Sequence, residues 1–354
     1  MKADQKTLIL LLPGFPKDED DSACLPFQLS FARCIKRNYP GLNVLVLTLQ
    51  YPFSKGDYFI GSLPVYSFGG GNKGGLAKLW LRKKIARKLE SIRKRTGITV
   101  IISFWFGETA LAGSRFAKKH PEIKHYCWLM GQDAKPGNPY FNKIKPHPGE
   151  VVALSDFLQT EFEKNYNCNP STVIPPGVNP SLFGNEQPVR DIDILAAGSL
   201  ISLKRFDIFI NVVSNIKKSK PDSKVVLIGD GEEKNNLLQL IRNLNLQENI
   251  NITGEIPHAT VLQLMQRSKL LLHTSSYEGF GMVCLEALFA GAQVISFTKP
   301  LKNEIAGWHF AEDEDQMCKM ATEIITSPSS SAVPKPEWSI EKCVDRFIAL
   351  ADLA

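Results

Sequence analysis

Lys269-Leu270-Leu271-Leu272-His273-Thr274-Ser275-Ser276-Tyr277-Glu278-Gly279-Phe280-Gly281-Met282-Val283-Cys284-Leu285-Glu286-Ala287-Leu288 carries the reading of this chain. The apolar run Lys269 to His273 has the character of a parallel strand buried on both faces. The glycines follow it directly and so fall at the strand's carboxyl end, where open α/β sheets bind ligands. Gly279 and Gly281 let backbone N–H groups come close to a ligand. A helix predicted to begin near Met282 turns the positive end of its dipole to the same place, which suits a phosphate. Glu278 and Glu286 flank the turn. Glu286 falls about one turn into the helix, where it is placed to accept hydrogen bonds from vicinal hydroxyls such as those of a ribose, and Glu278 faces another part of the ligand. Taken singly, each glutamate also fits an exposed position, one in a loop and the other on a helix surface.

The rest of the chain repeats one kind of unit. Leu8 to Leu12, Asn43 to Leu49, Thr99 to Ser103, His125 to Met130 and Val151 to Ser155 read as short apolar strands, with amphipathic segments such as Phe27 to Arg37 and Phe157 to Asn165 between them. Ile174-Pro175-Pro176-Gly177-Val178-Asn179-Pro180 breaks that rhythm, because its prolines and glycine continue neither a helix nor a central strand. Strands resume at Ile192 to Ala197, Lys224 to Ile228, Ile250 to Ile252, Lys269 to His273 and Gln293 to Phe297. The expected organisation is two doubly wound α/β domains, residues 1–177 and 178–338, followed by a helix over 339–354. The polar run Ser327 to Pro336 reads as a surface linker.

Glu278-Gly279-Phe280-Gly281, Glu286-Ala287-Leu288 and Ala290-Gly291 resemble the signature of retaining nucleotide-sugar glycosyltransferases of family 4, which have the two-domain GT-B fold. Val173-Ile174-Pro175-Pro176-Gly177-Val178-Asn179, with Phe183 after it, is similar to their interdomain segment. The resemblance covers most of the chain. It implies two Rossmann-like domains facing a central cleft, a terminal helix that crosses back to the first, and transfer of a sugar from a UDP- or GDP-sugar to a glycan or lipid-linked acceptor. Lys204 matches the lysine that holds the donor diphosphate and, with Glu278 and Asp133, is expected at the reacting centre. Gly14, Ser199, Arg205, Gly229, Ile256, Gly279, Phe280, Gly281 and Glu286 are the expected donor-binding positions, with Ile256 in the loop whose backbone reads the base. Two departures stand out. Ser199 occupies a place where arginine is common, leaving Arg205 as the candidate substitute, and Met130 precedes Gly131-Gln132-Asp133 where many relatives have histidine. Asp133 fits either a cleft residue or the cap of a local turn.

Negative charge builds on the diphosphate as the glycosidic bond breaks, so Lys204 and the helix start near Gly281 are the groups expected to lower the barrier. In the front-face mechanism usually proposed for such enzymes the leaving phosphate helps deprotonate the acceptor, so no dedicated base is required. Asp191-Ile192-Asp193 opens a buried strand at the far end of its sheet, and no catalytic metal or cofactor is expected. A non-catalytic sugar-nucleotide or glycan-binding relative is the alternative, motivated by Ser199 and Met130. A dinucleotide-dependent reductase is disfavoured because no Gly-x-Gly-x-x-Gly follows the first strand.

With 354 residues, 44% of them apolar, the chain is long enough for two cores. Lys2, Asp4, Gln5 and Lys6 interrupt the start, so no secretory leader is expected. The seven dispersed cysteines read as free thiols in a reducing cytoplasm. A net charge of +6 concentrates in Lys78 to Arg95, where nine basic residues accompany one acid and six apolar residues are interleaved. This basic amphipathic helix is either a solvated face over a core stripe or a surface that meets an anionic membrane, which would place the protein at the inner face of the cell membrane. No nucleic-acid motif accompanies the charge. Gly69-Gly70-Gly71 and Gly74-Gly75 lack the lysine and hydroxyl residue of a phosphate loop and read as a flexible loop near the acceptor.

Overall fold

The apolar runs of the first half form strands of one sheet in the computed structural model, which describes residues 6–22, 24–184, 188–327 and 338–353. The chain divides into two units, residues 1–177 with 340–354, and residues 178–339. The first unit holds β1 (Thr7–Gly14), β2 (Asn43–Tyr51), β3 (Gly56–Ile60), β4 (Leu63–Ser67), β5 (Val100–Phe104), β6 (Lys124–Leu129), β7 (Val151–Ala153) and β8 (Thr172–Val173). They lie in the order β3-β4-β2-β1-β5-β6-β7-β8, all pairs parallel except β3 with β4. Leu8 to Leu12 are fully buried, as a strand covered on both faces requires, and each such side chain contributes about 1.5–3 kcal/mol.

Helices α1 (Pro26–Asn38), α2 (Gly75–Thr96), α3 (Glu108–Lys119), the short α4 (Phe141–Ile144) and α5 (Asp156–Tyr166) belong to the same unit. In α2 the apolar residues separate by helical period. Leu81, Ile85, Leu89 and Ile92 are buried, whereas Leu76, Leu79 and Trp80 are exposed.

The second unit holds β9 (Ile192–Ala197), β10 (Val225–Ile228), β11 (Ile250–Gly254), β12 (Ser268–His273), β13 (Gln293–Ser296) and β14 (Trp308–Phe310) in the order β11-β10-β9-β12-β13-β14, all parallel. Its helices are α6 (Phe206–Lys217), α7 (Lys234–Asn243), α8 (His258–Gln266), α9 (Met282–Phe289) and α10 (Glu314–Thr326). The last helix, α11 (Ile340–Ala351), is part of the first unit. Its apolar stripe puts Phe347 4.6 Å from the ring of Trp128 and 5.8 Å from that of Phe31. On its polar side Glu341 accepts from Arg37 and Asp345 from Tyr39, each at 2.7 Å.

Strand order reverses between β1 and β5 in one sheet and between β9 and β12 in the other. At such switch points neighbouring loops diverge and leave a crevice beyond the strands' carboxyl ends.

Two details differ from the sequence reading. The β3–β4 hairpin was not expected, because Pro52, Ser54 and Gly56 look like loop and Pro64 sits inside β4. Gly69 to Gly71 do not form a loose loop. Gly70 N–H donates to the Leu49 carbonyl at 2.9 Å and Gly71 N–H to that of Gln50 at 3.1 Å, which presses the turn onto the end of β2. The stretch 327–336 lies, past Ser327, outside the described residues.

Gly229 closes the second sheet at its carboxyl end. Its N–H donates to the Gly254 carbonyl at 3.0 Å, and Gly198 N–H donates to the Ile228 carbonyl at 3.0 Å, so the ends of three strands are laced together. At φ +145° an added methyl would overlap the Gly198 carbonyl oxygen. Gly229→Ala is therefore expected to lower unfolding stability by at least about 2 kcal/mol. Gly41→Ala, where a methyl meets nothing within 4 Å, should stay within about 0.5 kcal/mol of the parent. Urea denaturation of both variants checks this, and equal midpoints would refute the close approach.

Candidate functional site

The pairing of β9 with β12 brings together two loops separated by some seventy residues of chain. Lys204 ends a single turn of 3-10 helix, Ser202–Lys204, after β9, and Glu278 follows β12. Lys204 Nζ donates to Glu278 Oε2 at 2.7 Å. The two loops are also joined through the backbone. Thr274 Oγ1 donates to the Lys204 carbonyl at 2.8 Å and Ser276 N–H to the Leu203 carbonyl at 3.1 Å. The lysine side chain runs over Gly198, 3.5 Å from where a Cβ would stand, so the glycine after β9 keeps its path open.

Beside this pair, the buried ring of His273, the last residue of β12, brings Nε2 within 3.4 Å of the same carboxylate. Burial alone would favour the neutral acid at Glu278. The hydrogen bond from His273 and the charge of Lys204 outweigh it and hold the pKa at about 2. Glu278 is therefore an anion throughout the physiological range.

Gly281 is the N-cap of α9, with φ +91°, a left-handed conformation that glycine adopts without strain. Cys284 and Leu285 N–H already donate to the Gly281 carbonyl at 3.0 and 3.2 Å, whereas those of Met282 and Val283 have no acceptor within the helix and add to the dipole's positive end beside the Lys204 loop. The Phe280 ring is buried, 5.9 Å from Trp308 and 6.2 Å from Trp338. Of the expected donor-binding residues it is thus the one whose side chain anchors the loop in the core and leaves only its backbone to face a ligand.

Glu286 lies on α9 and is paired. His258 Nε2 is 2.8 Å from its Oε1. The Glu286 carboxylate raises the imidazole's pKa above its ordinary value, against an opposing effect of desolvation. This partner was not visible in the sequence, where 28 residues separate the two. Ile256, two residues before it, is half-buried. Ser199 is exposed just after β9. Arg205, at φ +50°, directs its guanidinium to Asp207 at 3.2 and 3.3 Å, and so is engaged by the first turn of its own helix α6.

In the first unit, Gly14 ends β1 opposite Tyr51. Asp133 is held by its own surroundings: its carboxylate accepts from the N–H groups of Phe106 at 2.8 Å, Gly131 at 2.7 Å and Met130 at 3.1 Å. Burial pushes its pKa up, against the pull of those donors. Of the two roles read from the sequence, the geometry is that of the turn cap, and Asp133 positions the loops after β5 and β6. Trp105, in the loop after β5, was missed. It has φ +63°, which is rare for a bulky residue.

Asp191 pairs with Arg267, and Asp193 with Lys269 at 2.8 Å and Lys220 at 3.6 Å. Among the described residues no group of three His, Cys, Asp or Glu side chains is arranged to hold a metal ion.

Residues 181–321 match the sequence profile of glycosyl transferases group 1. The second unit carries a group 1 glycosyltransferase domain. Over 286 residues the chain is 26% identical to an uncharacterized glycosyltransferase of Haemophilus influenzae, a match covering 74% of this chain and 79% of that protein. Over 216 residues it is 28% identical to the GtfA subunit of a UDP-N-acetylglucosamine–peptide N-acetylglucosaminyltransferase of Streptococcus parasanguinis, covering 60% of this chain but 42% of that one. The chain thus spans less than half the length of this streptococcal relative. A glycosyltransferase structure from Rickettsia africae matches with a TM-score of 0.74 at 16% identity, covering 98% of each chain. Anabaena HepE, solved with UDP and glucose, matches at 0.69 and 17%, covering 98% and 99%. The fold is GT-B, with two Rossmann-like domains.

The His258–Glu286 pair gives a pH test. Because the folded-state pKa of the imidazole is raised, the pair's contribution is fully present below the ordinary histidine value of about 6.5. It is lost as pH climbs through the raised value. His258→Gln should therefore destabilise the protein by about 1.5 kcal/mol in mild acid, with the gap to the parent shrinking in mild base. Thermal melts across that range check it, and a gap independent of pH would exclude the ion pair.

Proposed function

We propose that this chain transfers a sugar, with retention of anomeric configuration, from a nucleoside diphosphate donor to a glycan or lipid-linked acceptor. The observation that carries this reading is the convergence, at the β9–β12 switch point, of a lysine, a carboxylate held ionised and a helix N-terminus. UDP-sugars come ahead of GDP-sugars, because the streptococcal relatives are named for UDP-N-acetylglucosamine and HepE was solved with UDP.

In this reading the donor diphosphate lies over the first turn of α9 and takes Lys204 Nζ from Glu278, while Glu286 accepts from the ribose hydroxyls. The bond between C1 and the diphosphate oxygen breaks, and its electron pair stays on the diphosphate. Lys204 and the α9 N–H groups stabilise that charge where it grows. The acceptor hydroxyl attacks C1 from the face the leaving group departs, and its proton passes to a diphosphate oxygen. Released from Lys204, Glu278 turns to the sugar hydroxyls. No metal or cofactor is required.

The proposed setting is cytoplasmic, at the inner face of the cell membrane, with residues 78–95 toward an anionic surface. No helix among the described residues is long and apolar enough to cross a bilayer. A non-catalytic sugar-nucleotide-binding relative is the second reading, favoured by Ser199 and Met130 at positions where the resemblance leads one to expect arginine and histidine.

Incubation with a panel of UDP-, GDP- and ADP-sugars, with and without bacterial membrane lipid extract, should release free nucleoside diphosphate from one donor. Lys204→Ala should then lower kcat on the order of 10²-fold, and Glu286→Ala should weaken donor binding about tenfold with the fold intact. Intact donors throughout, with one donor still raising the melting temperature, would favour the binding-only reading. Unchanged kinetics in both variants would sink the site assignment.

A further inference from the structure

Between α2 and α3, in the first unit, lies a groove of about 1150 Å³ whose chemistry the transfer reaction does not use. Its floor is apolar, formed by Ile85, Leu111 and Phe116. Around it stand eight lysines and arginines and His120, with Glu90 the lone carboxylate. That carboxylate is already taken by Arg93 at 2.7 Å and His120 at 3.2 Å, and Arg82 is held by Glu108 at 2.5 Å. Lys83, Arg87, Arg95, Arg115 and Lys119 have no acidic partner among the described residues.

This distribution works against the free protein. Lys83 with Arg87, and Arg115 with Lys119, are like-charge pairs one helical turn apart, an arrangement that destabilises each helix. An anion in the groove would relieve both pairs at once. Leu76 and Trp80, 79% and 61% exposed, continue the helical row that runs through Lys83 and Arg87. The same face therefore passes from bare apolar side chains to unneutralised cations, the pattern of a helix that lies in a bilayer interface.

We infer that the α2–α3 groove seats the phosphate headgroup of an anionic membrane lipid, while Leu76 and Trp80 enter the bilayer interface beside its acyl chains. This rests on the membrane-facing reading of residues 78–95 and names the lipid class and the seat. Lipid capture would hold the first unit at the surface where a lipid-linked acceptor is displayed.

Partition of the full chain onto phosphatidylcholine vesicles, with and without phosphatidylglycerol, tests this. Two double variants of equal charge change are compared, Arg115→Glu with Lys119→Glu in the groove, and Arg242→Glu with Lys319→Glu on the exposed faces of α7 and α10 outside it. The parent should bind only vesicles containing phosphatidylglycerol, with a blue shift of tryptophan emission that Trp80→Phe removes. The groove variant should bind at least about tenfold more weakly, and the outside variant less than about threefold. Arg115→Gln with Lys119→Gln repeats the comparison without introducing new charge, and circular dichroism confirms each fold. Equal losses in the two double variants would overturn the groove and leave only a diffuse membrane attraction. Release of the protein by free glycerol phosphate would overturn the lipid as occupant. Failure of the parent to bind would overturn groove and membrane together, whereas the nucleotide-release assay judges the transfer reaction separately.

Discussion

The parallel pairing of β9 with β12 is the constraint on which the second unit's chemistry depends. Ile194 and Leu195 of β9 register against Leu270 and Leu271 of β12, all four fully buried or nearly so. β10 extends the sheet on one side and β13 on the other, so the connections out of the central pair must diverge. Chain crossing is thereby avoided, and a crevice opens above the pair. Lys204 and Glu278 occupy it because each follows its strand by only a few residues. Neither residue's own neighbourhood in sequence contains the other, and only the sheet brings them within 2.7 Å.

The electrostatics follow from that meeting. A carboxylate this enclosed would be a poor anion by itself, since desolvation favours its neutral form. Glu278 is ionised because Lys204 is supplied from the loop after β9 and the His273 ring from the end of β12. The arrangement also keeps Lys204 in place without a ligand. A free lysine on a flexible stem would lose conformational freedom on meeting a diphosphate, whereas one already extended over Gly198 has lost most of it in advance. In the proposed reaction the pair would serve as a holding state, because a diphosphate offers the ammonium more negative charge than one carboxylate does.

The sequence revealed elements whose signal is local. Apolar runs of four to six residues announced the central strands of both sheets, and the glycine turn at 279–281 announced the start of α9 at Met282. The β3–β4 hairpin escaped because its residues alternate in exposure and include Pro64, so no apolar run marks it. The site divided along the same line. Lys204, Glu278 and Glu286 were legible as candidates because each sits in a motif of contiguous residues. His258 was not, since a partner 28 residues away on another element leaves no periodic trace, and His273 was read only as the end of its strand. Asp133 was ambiguous for a related reason: Gly-Gln-Asp fits a turn cap and a cleft equally, and only the backbone donors of Phe106, Met130 and Gly131 decide for the cap.

The loops at the two switch points are built differently. That of the second sheet brings charge to the place proposed for the diphosphate. Beyond β5 in the first, Glu108 is likewise held by Lys78 and Arg82, at 2.8 and 2.5 Å, but the loop before it is shaped by strain. Trp105 stands at φ +63°, a conformation that costs a bulky residue on the order of 1–3 kcal/mol. It persists because the surroundings fix it from both sides: its N–H donates to the Trp128 carbonyl at 3.0 Å, and its carbonyl accepts from Thr109 Oγ1 at 3.0 Å. The next N–H, that of Phe106, is bound by Asp133. A loop held this firmly, with a half-exposed aromatic ring at its tip, would offer a flat apolar face to the hydroxyl-bearing acceptor of the proposed reaction. Aromatic faces pack on sugar rings without needing countercharge. Under the proposed function, Trp105 would thus serve the acceptor's sugar through its face, while Lys204 and the start of α9 serve the donor through charge.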